Sequence, residues 1–384
     1  MVVKGMPTDF FELGPIRPPS EAFSLLIRVT RNCPWNRCRF CPIYKGAKFQ
    51  LRTVEEIKQD IGTARAIQDR IKELAWKSGR GDSLREFAAV MCHNPPNDAY
   101  RNVALWMYAG GKHAFLQDAN TLIMRTGELV EVIRFLKETF PSINRVTSYA
   151  RSKTAAKRTV AELAELHEAG LSRLHVGLES GYDPVLKFMD KGVTAADHIV
   201  GGKNVVASGI SLCEYVILGM GGRKMWREHA TETARVLNEI NPDFIRARTL
   251  TIDERMSLYD DVASGSFFRQ TDDEVVAEEK LLIENLECHA YFASDHMINL
   301  LAEVEGKLPE DKEKMLAVIN RFQGLAAEDR ANFKLGRRLG LYNRIDDLKD
   351  FHRHEEVSKA IDRLSQDGDG NIDEVVFGLM ARYI

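Results

Sequence analysis

Short apolar runs alternate with amphipathic segments along residues 23–250. The runs predict buried strands at "FSLLIRVT" (23–30), "ALWMYAG" (104–110), "RVTSYAR" (145–151), "LHVGLES" (174–180), "CEYVILG" (213–219) and "FIRARTL" (244–250). Between them, apolar residues recur three and four positions apart, as at Leu129, Ile133 and Leu136, and predict helices, including a long helical insert at about residues 54–100. Strands that alternate with helices indicate an α/β fold with a parallel sheet. The pattern leaves two closures open, an open doubly wound sheet and a full or partial barrel.

The strand pattern stops near residue 255. Later stretches have the spacing of amphipathic helices, namely "DDEVVAEEKLLIENL", "SDHMINLLAEVEG", "EDKEKMLAVINRF" and "HEEVSKAIDRL". We therefore predict a lead-in at 1–23, an α/β region at 24–255 and a mainly helical C-terminal region at 256–384. The late "DGDGNID" predicts a turn between helices, since Val376 stands where a calcium-binding loop needs a bidentate glutamate. In either closure, functional side chains are expected at the C-terminal ends of the parallel strands.

Composition and charge exclude several classes of protein. Of the 384 residues, 44% are apolar and 28% are charged, which is typical of a globular protein with a sizeable core. The net charge of −3 gives no overall basic footprint, so nucleic acid is not an expected partner. No apolar run approaches the roughly 18 residues that span a bilayer, and the N-terminus lacks the pattern of a signal peptide. We predict a cytoplasmic protein with no membrane partner.

Three of the six cysteines crowd into one stretch, "RNCPWNRCRFCPIYKG" (31–46), directly after the first predicted strand. Cys33, Cys38 and Cys41 have the spacing C-x4-C-x2-C, and in a reducing compartment clustered thiols more often bind metal than pair as disulfides. A [4Fe–4S] cluster held by three thiolates has one iron open, whereas structural zinc needs a fourth ligand from elsewhere. On spacing alone, a cluster, a zinc ion and no metal all stay open.

With an aromatic residue, Phe40, just before the third cysteine, this stretch resembles the radical S-adenosylmethionine (radical SAM) enzymes, whose usual spacing is one residue shorter. The resemblance covers roughly residues 24–250. "YAGGKHAFLQDAN" (108–120) is similar to a Gly-Gly-acid segment of the family, although Lys112 replaces the acid. "GLESGYDPVLKFMDKG" (177–192) and "EYVILGMGG" (214–222) resemble the branch of Elp3, the methylthiotransferases and oxygen-independent coproporphyrinogen oxidase.

The resemblance implies a fold, two cofactors and a set of residues that bind them. The fold is a partial (β/α)6 TIM-like barrel with a helical C-terminal region. Cys33, Cys38 and Cys41 would hold a [4Fe–4S] cluster, and its open iron would bind S-adenosylmethionine. The residues implied in binding that nucleoside are Gly110, Gly111, Ser148, Arg151, Glu179, Lys191, Ile217 and Gly219.

The implied activity is reductive cleavage of S-adenosylmethionine to a 5′-deoxyadenosyl radical, which abstracts hydrogen from a substrate. The substrate would be a small molecule, a peptide or a porphyrin-like compound, and the electron donor a protein such as flavodoxin or ferredoxin. The alternative is a non-catalytic metal-binding scaffold with a structural zinc or cluster site. The sequence does not choose a substrate or an oligomeric state.

Two positively charged residues on the last predicted strand are candidates for the substrate side. Arg246 and Arg248 are two residues apart and therefore point to one face of the strand. If that face lines the barrel interior, they form a clamp for carboxylate or phosphate groups. If it faces outward, they form surface ion pairs.

"SDHMIN" (294–299) is predicted to be helical, with Asp295 and Asn299 on one face. His296 in this stretch is a candidate catalytic residue, and the alternative is a capping or core histidine. Around the cysteines, the positive charges of Arg37 and Arg39 either favour a reduced cluster or are solvated.

Overall fold

The computed structural model describes residues 9–366 and 371–381. The predicted "DGDGNID" turn lies partly outside the described residues, at 367–370. The strands are β1 (Leu25–Arg28), β2 (Thr30–Arg31), β3 (Gln50–Leu51), β4 (His113–Gln117), β5 (Arg145–Ala150), β6 (Leu171–Glu179), β7 (Ser211–Leu218), β8 (Phe244–Thr249), β9 (Tyr291–Ala293) and β10 (Glu305–Lys307).

The α-helices are α1 (Val54–Lys77), α2 (Leu84–His93), α3 (Asp98–Tyr108), α4 (Thr126–Thr139), α5 (Ser152–Ala155), α6 (Val160–Ala169), α7 (Asp183–Phe188), α8 (Ala195–Ala207), α9 (Gly222–Ile240), α10 (Ser257–Ala263), α11 (Asp272–Asn285), α12 (Lys312–Gln323), α13 (Ala327–Arg338), α14 (Phe351–Gln366) and α15 (Ile372–Met380). None of these described helices is long and apolar enough to cross a membrane.

The described strands are mostly parallel and alternate with helices, which confirms the predicted α/β class. By packing, the described chain divides into two compact units. The first unit comprises 9–36, 43–176 and 204–212, and the second comprises 37–42, 177–203, 213–366 and 371–381.

In the first unit, β1, β4, β5 and the beginning of β6 are parallel neighbours in that order. In the second unit, β7, β8 and β9 are parallel neighbours, and β10 pairs antiparallel with β9 at the edge.

The predicted strands form because their apolar residues are buried on both faces. β1 and β4 are buried over most of their length, as parallel strands covered by helices should be. The insert that follows β3 is helical, as predicted. Its helix α1 begins with a capping box between Thr53 and Glu56 and presents a buried stripe that includes Ile57, Ile61 and Ile71.

The strand predicted at 104–110 is wrong, since this run belongs to helix α3. Asn97 caps the helix by accepting the Tyr100 N–H, and the buried Val103 and Trp106 continue its inner face. The strand of this region, β4, begins only at His113. The prediction failed because a short apolar run with few polar residues is typical both of a buried helix and of a buried strand.

The C-terminal region also contains two short strands, β9 and β10, which were not predicted. The stretch 294–299 is a loop after β9, so the prediction of a helix with Asp295 and Asn299 on one face is wrong. The Asn299 side chain instead binds the backbone of β8, accepting the Thr249 N–H at 2.8 Å and donating to the Ala247 carbonyl at 2.9 Å. Strands of three residues are too short to give an alternating pattern, which is why the sequence did not predict them. The boundary near residue 255 stays a prediction.

Candidate functional site

In the first unit, a buried aspartate lies directly after β4. The carboxylate of Asp118 is fully buried and accepts hydrogen bonds from Arg28 Nη2 at 2.8 Å and from the backbone N–H of Asn32 at 3.2 Å. The Tyr44 hydroxyl donates to its other oxygen. Asn32 precedes Cys33, and Tyr44 follows the last of the three cysteines by a few residues. Asp118 therefore fastens both ends of the cysteine segment.

Burial and charge keep the Tyr44 hydroxyl of this anchor protonated. Burial, followed by the negative charge of Asp118, raises the pKa of the Tyr44 hydroxyl well above its ordinary value. The phenol therefore keeps its proton and remains a donor. Arg28 supplies the positive charge that a buried carboxylate needs, and it also contacts Glu12 at 2.7 Å.

Two predicted cofactor residues lie after or within β5. The guanidinium of Arg151 is 5.2 Å from the ring centroid of Trp35, a residue of the cysteine segment, and the Arg151 N–H donates to Asn120 at 3.1 Å. The Ser148 hydroxyl is buried, donates to the Leu116 carbonyl at 2.8 Å and also contacts Thr121. Both cofactor roles stay predictions, and Arg151 is the one that lies beside the cysteine segment.

Gly110 and Gly111 do not follow a strand. Both have positive φ, 95° and 68°, and they end helix α3 before β4 begins. They therefore lie at the start of β4, which corrects the strand-end position predicted for them. The residues that follow the end of β4 are Asp118 and Asn120, which the sequence analysis missed.

The first cysteine has a backbone donor. The Asn36 N–H donates to Cys33 Sγ at 3.4 Å, and Asn36 has a positive φ of 49°. Asparagine tolerates this left-handed conformation better than most residues. Hydrogen bonds from N–H groups to cysteine sulfur favour the thiolate that metals bind. All six cysteines are free of disulfides, and Cys33, Cys38 and Cys41 are half-buried.

In the second unit, the segment Arg37–Pro42 is held by backbone hydrogen bonds on both sides. The Arg39 N–H donates to the Met189 carbonyl at 3.0 Å, and the Arg39 carbonyl accepts the Leu258 N–H at 3.2 Å. The Arg39 guanidinium binds both oxygens of Asp261, at 2.9 and 2.8 Å. The positive charge of Arg39 is therefore compensated and is not a free charge beside the cysteines.

The second unit brings two predicted cofactor residues into contact. Lys191 Nζ donates to Glu179 Oε1 at 3.1 Å, and the same ammonium group is 5.7 Å from the ring centroid of Phe40. Glu179 has a positive φ of 65°, which folds its carboxylate back over the strand. A Cβ on Gly177 would come within 2.1 Å of Glu179 Oε1, so this arrangement requires glycine there.

A buried acid lies near this pair, and the sequence analysis did not identify it. Glu214 on β7 is fully buried, and neither of its carboxyl oxygens has a hydrogen-bond partner among the described residues. Burial, and then the negative charge of Glu179, raise its pKa well above the ordinary value. The site therefore favours the protonated, uncharged form of Glu214.

The predicted residues at the end of β7 are fixed by a buried polar network. The Gly219 N–H donates to Glu278 at 2.8 Å, and His229 Nε2 donates to the Ile217 carbonyl at 3.1 Å. Because His229 Nδ1 lies 2.8 Å from the Ser180 hydroxyl, that hydroxyl donates to the ring and the imidazole is neutral. The network links the end of β7 to Ser180, the residue after Glu179.

Both titratable members of this network are uncharged. Burial raises the pKa of Glu278 to about 8 and lowers that of His229 to about 4. The 3.4 Å contact between them is short enough for an ion pair. However, the two pKa directions agree with a neutral acid beside a neutral imidazole, because no group nearby compensates a charge.

We expect Glu278→Gln to flatten the dependence of stability on pH. Between pH 4.5 and about 8, folded Glu278 keeps a proton that the unfolded chain releases. The free energy of unfolding therefore falls with rising pH by about 1.4 kcal/mol per pH unit from this one group. Glutamine still accepts the Gly219 N–H but does not titrate. Urea unfolding at several pH values measures the difference. Glu284→Gln, at an exposed position of α11, is the control, and equal slopes in both variants would contradict the prediction.

The substrate-side candidates also come together in the second unit. Along β8, Arg246 and Arg248 are half-buried while Ile245 and Ala247 are buried, so the two arginines share a face as predicted. His296, in the loop after β9, lies close enough to Arg248 for the positive charge to lower its pKa. Their role in binding substrate stays a prediction.

A family comparison decides the class of the protein. The family described as the radical SAM superfamily matches residues 27–234, more than half of the chain. The chain belongs to the radical SAM superfamily. The predicted family is confirmed, and the superfamily's cofactors are a [4Fe–4S] cluster and S-adenosylmethionine.

Several solved structures are distant matches to this chain. The archaeal Elp3 of Methanocaldococcus infernus is 14% identical, with 56% of this chain and 55% of that chain covered and a TM-score of 0.41. Methylornithine synthase is 16% identical, with 69% and 63% covered and a TM-score of 0.40. HydG, a maturase of the [FeFe]-hydrogenase, is 14% identical, with 90% and 82% covered and a TM-score of 0.40. The chain spans less than two thirds of the first two structures, and no curated protein matches it.

The donor set of the cysteine segment fits the superfamily's cluster. It offers three half-buried cysteine thiols outside any disulfide, and the thiol of Cys33 accepts a backbone N–H. Within 9–366 and 371–381, no three histidine, cysteine or carboxylate side chains are grouped so as to hold a single metal ion. A [4Fe–4S] cluster takes one thiolate per iron, so its ligands do not have to converge on one ion.

Proposed function

We propose that this radical SAM enzyme cleaves S-adenosylmethionine reductively and that the resulting 5′-deoxyadenosyl radical abstracts hydrogen from a small-molecule, peptide or porphyrin-like substrate. Cys33, Cys38 and Cys41 would hold the cluster that supplies the electron. A protein such as flavodoxin or ferredoxin as electron donor, and a cytoplasmic location, belong to the same proposal.

The contact between Glu179 and Lys191 beside Phe40 is the observation that carries the proposal. Phe40 directly precedes Cys41, so an ion pair lies next to the segment that would hold the cluster. S-adenosylmethionine carries an ammonium and a carboxylate at its amino-acid end. A paired carboxylate and ammonium can exchange their mutual contact for these two groups with little change in net charge. We assign Lys191 to the carboxylate, and Glu179 to the ammonium or ribose hydroxyls.

The other residues of the chain position these groups. Asp118 fixes both ends of the cysteine segment, and Asp261 fixes Arg39 within it. The buried network of His229 and Glu278 fixes the end of β7, whose Ile217 and Gly219 we assign to the adenine side. Because Asp118, His229 and Glu278 are buried, they hold these segments in place before S-adenosylmethionine binds.

We expect Lys191→Gln to weaken binding of S-adenosylmethionine by about tenfold to a hundredfold, the usual effect of losing a charge-assisted hydrogen bond. Equilibrium dialysis of labelled S-adenosylmethionine against the reconstituted, unreduced protein measures the dissociation constant without turnover. Lys203→Gln is the matched control, since Lys203 is an exposed lysine of the same unit that pairs with Glu239. Equal affinities in Lys191→Gln and the unaltered protein would contradict the assignment of Lys191 to the carboxylate of S-adenosylmethionine.

Anaerobic purification tests the function itself. We expect a brown protein with about four irons per chain that forms 5′-deoxyadenosine when S-adenosylmethionine and a strong reductant are added. Stoichiometric zinc without cleavage would favour the scaffold alternative, to which the comparisons give no support. Deuterated candidate substrates, with transfer of the label to 5′-deoxyadenosine as the readout, would then identify the hydrogen donor.

A further inference from the structure

Arg248 is a positively charged residue near the C-terminal end of β8. It is the last residue but one of β8, and its guanidinium lies 4.9 Å from the ring centroid of Tyr215 on β7. Contact with an aromatic face restricts the plane of a guanidinium without neutralising its charge. Within the described part of the chain, Arg248 forms no ion pair with a carboxylate.

Arg246, two residues earlier on the same face, is different. Its Nη1 binds both carboxylate oxygens of Asp295, at 2.9 Å each. This ion pair uses one nitrogen of the Arg246 guanidinium and compensates its charge. The predicted two-arginine clamp is therefore one free arginine beside one compensated arginine, and the three groups together carry a net charge of +1.

His296 adds a neutral donor next to Arg248. Its Nδ1 accepts the Ile298 N–H at 3.3 Å, so the neutral ring carries its proton on Nε2. Burial, and then the positive charge of Arg248, lower the pKa of His296 to about 4, so the ring is neutral at physiological pH. Asp295 binds Arg246 and Asn299 binds the Thr249 backbone, so the loop that carries His296 is held against the C-terminal end of β8, where Arg248 lies.

We propose that Arg248 and His296 bind an oxyanion of the substrate, a carboxylate or a phosphate, while Asp295 holds Arg246 out of that contact. This inference rests on the proposed function, because it names the substrate class for the hydrogen abstraction. The planar guanidinium matches the two oxygens of a carboxylate or phosphate, and the imidazole N–H supplies a further donor. Tyr215 keeps the guanidinium plane fixed, which reduces the entropy lost when the anion binds.

Methyl-labelled acetate and methyl phosphate are suitable minimal probes, titrated by ligand-observed saturation-transfer NMR. The protein is the reconstituted holoenzyme. Its cluster is left unreduced and S-adenosylmethionine is present at saturation, so that Lys191 is already occupied. We expect saturable, millimolar binding of at least one probe. Whichever probe binds more tightly identifies the oxyanion as carboxylate or phosphate.

The variants are expected to change the affinity for the probes in opposite directions. Arg248→Gln should weaken probe binding at least tenfold, and His296→Gln should weaken it less. Asp295→Asn should strengthen binding severalfold, because it frees the charge of Arg246. Arg235→Gln is the matched control, since Arg235 pairs with Glu232 and Glu239 on an exposed face of α9. Circular dichroism checks that each variant is folded.

Unsaturable probe binding in the unaltered protein would overturn the inference, as would equal affinity in Arg248→Gln and Arg235→Gln. If Arg248→Gln did not fold, a failure of Asp295→Asn to bind the probes more tightly would overturn it instead. Formation of 5′-deoxyadenosine without substrate is measured separately and reports on the proposed function. Loss of that reaction in the unaltered protein, with probe binding intact, would refute the proposed function but leave the oxyanion site standing.

Discussion

Replacing Cys38 with alanine is expected to abolish both cluster binding and cleavage of S-adenosylmethionine. Three thiolates are the fewest ligands that hold a [4Fe–4S] cluster while keeping one iron open, so the loss of one leaves too few. Cys33→Ala and Cys41→Ala should behave in the same way. The measurements are iron content, the visible absorption of the cluster, and 5′-deoxyadenosine formation after reduction.

Cys92→Ala is the matched control for these variants, because Cys92 is also a free, half-buried cysteine but lies on helix α2. It should keep its iron and its activity, as should Cys213→Ala, whose thiol is buried within β7. A Cys38→Ala protein that retained four irons and cleaved S-adenosylmethionine would contradict the ligand assignment.

The second large effect is expected at Asp118. Asp118→Ala removes a fully buried carboxylate and leaves Arg28, the Asn32 N–H and the Tyr44 hydroxyl without their shared acceptor. Breaking a buried ion pair by removing one partner costs about 3 to 5 kcal/mol. The free energy of unfolding should fall by that amount, and iron retention should fall with it, because both ends of the cysteine segment lose their anchor.

Asp118→Asn separates the two consequences. The asparagine side chain still accepts hydrogen bonds but carries no charge for Arg28, so we expect an intermediate loss of stability. Asp98→Ala is the control, since Asp98 is an exposed aspartate that pairs only with the neighbouring Arg101. Stability is measured by urea unfolding, and iron is counted after gel filtration. Full stability and full iron content in Asp118→Ala would show that the anchor is unnecessary.

The sequence predicted the parts of the fold that depend on local pattern. β1, β5, β6, β7 and β8 lie where their apolar runs indicated, because a buried parallel strand needs an apolar stretch wherever it occurs. The run at 104–110 failed because α3 is buried along most of its circumference, which hides the helical period. As a result, Gly110 and Gly111 were predicted to follow a strand, whereas they follow helix α3.

The residues of the candidate site were likewise predictable only where they belong to a local sequence motif. Cys33, Cys38 and Cys41, and the pair Glu179 and Lys191, could be named because each sits in a motif with recognisable spacing. Asp118, Glu214 and Glu278 could not. Their importance comes from burial and from partners far along the chain, such as Tyr44 for Asp118 at a separation of 74 residues. Likewise, the pattern of β8 identified Arg246 and Arg248 but not that Asp295 compensates one of them.

The short strand β10 has a consequence for how the protein behaves at high concentration. Exposed rims of sheets invite other chains to add a strand, which starts aggregation. Here the edge strand β10 is three residues long and carries the charged side chains of Glu305 and Lys307. The Lys307 N–H is already taken by the Asp311 carboxylate at 2.9 Å, and Asp311 packs so closely that a Cβ on Gly306 would meet its Cβ at 2.5 Å. The turn around Asp311 thus lies where a strand of another chain would pair with β10. We therefore expect this edge to resist aggregation by strand addition.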